Sequence, residues 1–427
     1  MELAVGEIKG LDRYDKGISV SLLGGILFIP IFGALGGGLL FVAFVFWILK
    51  LRLLKKNGEP LGLTFKALDR SQLFFWAAGW ASVILSTNII LSLEGILLFS
   101  AYFLTYFLVA GNTRTRKQLD LTLIVLIISF ILVSAFGVYQ FFSNTPISYK
   151  YNRFFMINLA KMDGRRLVST MYSANIFGGY LAFIIFLLTG LFLTQKTLSS
   201  RVKNILLGGL GLFCLVFTYS RGAYIGFAAS ILSLVPFIKR KWLFIGLFLA
   251  IATILVIASP PLVKDRLRSI TDLEQTFNKE RLQSYQSAFA IIRDYPFTGI
   301  GVYTTDVVYR DYMLHTLGKR SFNYIHNIYF EVAVEMGLIG FTAFILMIIT
   351  ALKECWKGIF QASNDRLRGL LIGFWMGFIG LSVQQMFDAV LYVGQMGIFF
   401  WLMLGLMASV SRMVSEKNLK GVRPASL

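Results

Sequence analysis

Runs of about 18–25 predominantly apolar residues, long enough to cross a hydrocarbon layer as helices, recur along this chain. Shorter polar segments, many of them basic, separate them. Twelve spans are predicted, at about 18–34, 35–51, 71–87, 89–110, 119–141, 172–194, 203–219, 222–238, 242–259, 327–352, 368–387 and 390–411. The widest gap, residues 260–326, is too long for a simple turn and is expected to hold structure of its own. The pattern predicts an all-α polytopic membrane protein in three parts: spans one to nine over 1–259, an outer segment over 260–326, and spans ten to twelve with a tail over 327–427. No small-residue cleavage site follows the first apolar run, so that run is expected to be retained as a signal-anchor.

An even number of spans puts both termini on one side of the membrane, and the basic residues say which. Of the 41 Lys and Arg, 26 fall in segments 1–17, 50–70, 111–118, 195–203, 239–241, 353–368 and 412–427, whereas the opposite turns near 34–35, 88 and 388–389 carry none. By the positive-inside rule the former are cytoplasmic. The net charge of +19 is therefore mostly a topology signal facing anionic lipid head groups and does not point to nucleic acid. Composition agrees: 56% of residues are apolar and 15% charged, where a soluble chain carries about a quarter charged residues.

The remaining basic residues are on the outer side, five in 142–171 and nine in 260–326, with Arg221 in the turn after span seven. Topology does not require them there. Arg266, Arg268, Lys319 and Arg320 read as a solvated loop face. Arg221, between two apolar spans, would cost about 2.5–3.5 kcal/mol inside the hydrocarbon even on the lenient insertion scale, so it is expected to reach outwards or meet an anion. Arg166, ahead of Asn175 at the start of span six, and Arg281 in the long outer segment are the other candidates for anion binding.

One of the two histidines, His326, stands at the mouth of span ten. An imidazole can exchange a proton near neutral pH, and a membrane entrance is a costly place for an idle one. Asn327, Glu331 and Glu335 follow at i, i+4 and i+8 from Asn327, giving that span a polar face. Glu335 is about 13 Å deeper than His326 along a straight helix and is expected to pair with a neighbouring helix, as are Glu94 and Asp388. In the outer segment Leu282, Tyr285, Phe289 and Ile292 form the apolar stripe of a surface helix that Arg281 would begin and Asp294-Tyr295-Pro296 would stop. Gly299 and Gly301 then permit a tight turn towards the Tyr-rich stretch that starts at Tyr303. Cys214, within span seven, and Cys355, in a cytoplasmic loop, lie on different levels and are not expected to pair. His315 and His326 lack neighbouring cysteines and no outer Asp-x-Asp occurs, so neither a metal site nor any other cofactor is expected.

The order Ser220-Arg221-Gly222, Asp294-x-Pro296-x-x-Gly299-x-Gly301, His326-Asn327 and Glu335-x-Gly337-x-x-Gly340 resembles the O-antigen ligase and polymerase superfamily. The resemblance covers about 164–340. The stretch from Arg166 to Asn175 resembles that family's Arg-x-x-Gly-x-x-x-Asn-Pro-Asn pattern, with Ser169 where glycine is usual and Ala174 in place of the proline. The resemblance implies a bacterial inner-membrane glycosyltransferase of the helical GT-C type. Its donor would be a glycan on undecaprenyl pyrophosphate at the outer face, and its acceptor a growing glycan, a lipid core, another polymer or a protein. Arg221 and Arg281, with Arg166, would hold the diphosphate in place of a metal, and His326 would take the acceptor proton. Asn175, Asn327, Glu331 and Tyr303 would contact substrate. A lipid-linked glycan flippase is the non-enzymatic alternative, but a transporter should spread ionisable groups through the membrane depth, and here they cluster at one face.

Overall fold

The computed structural model describes residues 11–60, 66–143, 148–149, 159–160, 166–258, 264–265, 276–312 and 325–421. Each of the twelve predicted spans falls on a helix. These are α1 (Leu11–Phe28), α2 (Gly33–Lys56), α3 (Ala67–Ile84), α4 (Ile89–Asn112), α5 (Arg116–Ser143), α6 (Ala174–Thr194), α7 (Leu198–Phe217), α8 (Arg221–Leu232), α9 (Lys241–Ala258), α12 (Ile328–Gln361), α13 (Asp365–Gln384) and α14 (Gly394–Gly421). Between α9 and α12 lie α10 (Thr276–Asp294) and the single turn α11 (Thr305–Val308). Among the described residues the only strands are a two-residue antiparallel pair, 148–149 with 159–160.

The chain is a multi-pass membrane protein, with fewer than the twelve expected spans supported by helix length and composition. Among the described residues eight helices, α2, α4, α5, α6, α7, α12, α13 and α14, are long and apolar enough to cross a bilayer, and the apolar stretch at 221–237 is shorter. Helices α1 and α3 have 18 residues each and are more polar, α1 with Asp12, Arg13, Asp15 and Lys16 in its first turns. Span eight fails as a continuous helix because Pro236 lacks the N–H that would extend it; α8 stops at Leu232 and a 3-10 turn, Val235–Phe237, follows. Cys355 also moves, from a predicted loop to a buried position in α12, which runs on to Gln361.

Helices α6 and α8 each pack closely on α13 because small residues let their backbones meet. A Cβ on Gly226 of α8 would come within 2.4 Å of the Gly380 carbonyl of α13. Packing of this kind holds helices together where lipid offers no hydrophobic driving force.

Helix α12 has 34 residues and is broken at Gly337, whose φ of 63° is in the left-handed region. The break exposes backbone groups that need partners in a water-poor setting. The segment after α10 supplies them. Ile300 and Gly301 N–H donate to the Val334 and Glu335 carbonyls at 3.0 and 2.9 Å, and Leu338 and Ile339 N–H donate to the Pro296 and Phe297 carbonyls at 2.8 and 3.3 Å. Such close approach needs glycine on both sides: a Cβ on Gly337 would be 2.1 Å from the Phe297 carbonyl, and one on Gly299 would be 2.4 Å from the Val334 carbonyl. The paired glycine motifs therefore join the outer segment to α12, and the predicted turn at Gly299 and Gly301, with φ of 70° and 106°, is present.

Helix α10 stops at Asp294 as predicted, yet Arg281 does not begin it; the helix starts at Thr276 and Arg281 is in its second turn. Its buried face also differs from the apolar stripe. Ser284, Ser287, Ala288 and Ile291 are buried, while Leu282 and Phe289 are 56% and 61% exposed. Small residues let α10 lie close to α12, where Tyr285 and Phe289 each pack on the Phe330 ring with centroids 5.0 Å apart. His315, Lys319 and Arg320, and Arg266 and Arg268, lie outside the described residues.

Candidate active site

Three helix N-termini meet at one end of the bundle. Each is capped by its own side chain: Ser173 accepts from Ile176 N–H on α6, Ser220 from Ala223 N–H on α8, and Asn327 from Tyr329 and Phe330 N–H on α12. Caps of this kind contribute about 1 kcal/mol each and fix the direction in which the chain enters the helix. They place Asn175 in the first turn of α6, Arg221 as the first residue of α8, and His326 one residue before the α12 cap. The positive ends of three helix dipoles thus point into a shared space, which favours an anion there.

That space is a polar cavity of about 140 Å³. Arg166, Arg221 and Arg281 line it together with Asn175, His326 and Asp388. A chain of hydrogen bonds runs along one wall. Arg166 Nε donates to the Thr218 carbonyl at 3.0 Å and its Nη2 to Asn175 Oδ1 at 2.9 Å. Asn175 Nδ2 donates to Asp388 Oδ2, and Asp388 Oδ1 is 3.3 Å from His326 Nδ1. The backbone fixes the same residues: Gln384 Nε2 donates to the Asn175 carbonyl at 2.8 Å, and Asn327 Nδ2 to the Met386 carbonyl at 3.1 Å.

Asp388 is buried, which alone would raise its pKa, but the His326 hydrogen bond and charge, the Arg281 charge and the Asn175 amide outweigh burial and hold the carboxyl below its usual range. An ionised Asp388 beside Nδ1 selects the imidazole tautomer with the proton on that nitrogen, leaving Nε2 as the basic atom. The arrangement orients a base next to three guanidinium groups.

Residues 205–345, about a third of the chain, match the family model described as O-antigen ligase. The match supports the resemblance of this chain to the O-antigen ligase and polymerase superfamily over that part of its length. No curated protein matches the sequence. The O-antigen ligase match takes in Arg221, Arg281 and His326, whereas Arg166, Asn175 and Asp388 complete the cavity from outside it.

The two departures from the superfamily pattern near Arg166 fit their places. Ser169 takes the φ of 52° that favours glycine, held by its N–H to Gln140 Oε1 at 3.0 Å and its hydroxyl to the Val133 carbonyl at 2.6 Å. Ala174 is the first residue of α6, a position that suits proline but does not require it.

Of the residues expected to contact substrate, Asn175 lines the cavity and Asn327 acts as the α12 cap beneath it. Glu331 and Tyr303 are not brought to it. Glu331 is buried, with Oε2 accepting the Ile325 N–H at 2.7 Å, so it fixes the backbone entering His326. Tyr303, at φ 68°, stacks on Tyr392 with centroids 5.6 Å apart and lines a separate apolar cavity. Glu335 pairs with neighbours as expected, accepting the Thr305 hydroxyl at 2.9 Å and the Tyr392 hydroxyl. Glu94 is exposed. Asp388 pairs with Asn175 of α6, as expected of a structural carboxylate, and also faces His326, which the sequence did not show; the available signal was a lone carboxylate in a short turn between apolar spans.

Proposed function

We propose that this enzyme transfers a glycan from an undecaprenyl-pyrophosphate donor to an acceptor hydroxyl, at the outer face of the inner membrane, by an inverting, metal-independent, GT-C-type mechanism. The observation that carries the reading is the convergence of Arg166, Arg221 and Arg281 with the Asp388–His326 pair in one cavity fed by three helix N-termini. A sugar leaving as a diphosphate is already activated, so the site must hold the leaving anion and remove one proton. Planar guanidinium groups bind phosphate oxygens through paired charge-assisted hydrogen bonds. They balance the charge that builds on the diphosphate as the glycosidic C–O bond breaks. His326 accepts the proton of the incoming hydroxyl, a role worth roughly 10²–10⁴-fold in rate, while Asp388 stabilises the imidazolium that results. Attack from the face opposite the diphosphate inverts the anomeric centre.

The product is a surface polysaccharide or lipopolysaccharide extended or attached at the outer face, by polymerase or ligase action. Reconstitution with a defined lipid-linked oligosaccharide tests the arginines. Arg221→Lys keeps the charge but loses the two-pronged donor, so donor affinity and turnover both fall, and activity survives EDTA. Wild-type behaviour of Arg221→Lys, or a strict Mg²⁺ requirement, would contradict the reading.

A further inference from the structure

The opposite end of the bundle carries a second polar cavity, of about 340 Å³, between the start of α3 and the ends of α12 and α14. Three cations, Lys66, Arg70 and Lys357, stand around it. One carboxylate, Glu354, also faces it, with Oε2 accepting the Ser411 hydroxyl at 3.0 Å. Asp69, next along α3, is buried and committed elsewhere. It accepts two bonds from Arg412 Nη2 at 2.8 and 2.9 Å, the Tyr106 hydroxyl at 2.7 Å and the Lys66 backbone N–H at 2.7 Å. The cavity therefore keeps an excess of positive charge that its own walls do not neutralise.

Its depth in the bilayer follows from α12. α12 is 34 residues long, enough to cross a bilayer even with its break at Gly337; His326 precedes its first residue and Lys357 is within its last five, at the opposite end. With the candidate active site at one head-group layer, the cavity is at the other. Phe74, one turn into the membrane from Arg70 on the same face of α3, is 46% exposed and offers apolar surface just inside the ring of cations.

We infer that this cavity binds the phosphate of an anionic phospholipid from the leaflet opposite the active site. Cations at head-group depth attract such lipids, each contributing about fivefold in affinity. Gln361 and Ser415, also on the wall, supply polar groups for the phosphate and glycerol oxygens.

The test uses the full chain purified in mild detergent and titrated with phosphatidylglycerol, phosphatidylcholine or inorganic phosphate, with retained lipid read by native mass spectrometry and stability by thermal melting. Phosphatidylglycerol is expected to be retained and to raise the melting temperature, with phosphatidylcholine and inorganic phosphate far weaker. The triple variant Lys66→Gln, Arg70→Gln, Lys357→Gln should lose about a hundredfold in phosphatidylglycerol affinity, and Lys357→Gln alone about fivefold. Lys353→Gln, an exposed neighbour off the cavity wall, should leave it unchanged. The single variant keeps the test open if the triple variant misfolds. Undiminished phosphatidylglycerol retention in Lys357→Gln would overturn the proposal, as would inorganic phosphate stabilising as strongly as the lipid.

Discussion

Asp388 ties the cavity together at the level of single residues, because its two carboxylate oxygens receive the Asn175 amide and face the His326 ring. Asp388→Asn keeps the shape but presents an amide to both partners, so the imidazole loses its preferred tautomer. Turnover should fall by about 10²–10⁴-fold, as for a base that has lost its orienting carboxylate, with donor binding nearly unchanged. The pH dependence follows from the lowered pKa of Asp388. A depressed carboxylate contributes stability that is complete above its ordinary unfolded value, about 4, and is lost as pH falls through the folded value. Thermal melting in acid should therefore show a drop below about pH 4 that Asp388→Asn lacks; equal acid sensitivity of the two would remove the carboxylate from the account. His326 and Arg221 were legible as candidates because a His or Arg at a membrane mouth is costly without a reason, and Arg281 through the surface helix that carries it. Asp388 was not, since its partners come from α6 and the α12 entrance, hundreds and tens of residues away, and pairing at such separations leaves no local pattern.

Among the elements, α12 carries the decisive irregularity. The apolar run was readable, and so were the glycines, but periodicity describes a straight helix and says nothing of a break that another segment must satisfy. Tyr303 lies away from the cavity for that reason: the turn at Gly299 and Gly301 docks on α12 and aims Tyr303 at Tyr392. Span eight was overextended because its apolar composition hid the effect of Pro236. Gly337→Ala tests the joint. Its Cβ would strike the Phe297 carbonyl and its φ of 63° suits only glycine well, so the variant should lose on the order of 2 kcal/mol or more in stability. It should also lower turnover by loosening α10, which carries Arg281. A melting temperature equal to wild type would mean that the outer segment is held by something other than this joint.

For the whole molecule, the all-helical class and the clustering of ionisable groups were plain from composition and hydropathy, because lipid leaves a spanning backbone few alternatives to helix. The span count was less legible, since α1 and α3 combine helix length with polar residues, exposed ones in the first turns of α1 and the buried Asp69 and Gln72 in α3. Orientation gives a direct prediction. A cysteine at Gln286, exposed on α10, should react with an impermeant thiol reagent in intact cells, and one at Ser363, exposed at the other end of the bundle, should not; Cys214 and Cys355 are buried and add little background. Reversed labelling would put the cavity on the wrong side of the membrane for a lipid-linked donor presented outside.

The central claim, that the arginine and histidine cavity performs glycosyl transfer, is tested most directly in proteoliposomes carrying a defined undecaprenyl-pyrophosphate oligosaccharide and its acceptor. Wild-type enzyme should form a new glycosidic product with one free lipid pyrophosphate released per bond made. His326→Gln, which keeps a hydrogen-bonding shape without basicity near pH 7, should bind the donor nearly as well yet turn over at least about a hundredfold more slowly. Retention of most wild-type turnover by His326→Gln would contradict the account, as would the absence of any glycosidic product from the wild-type protein.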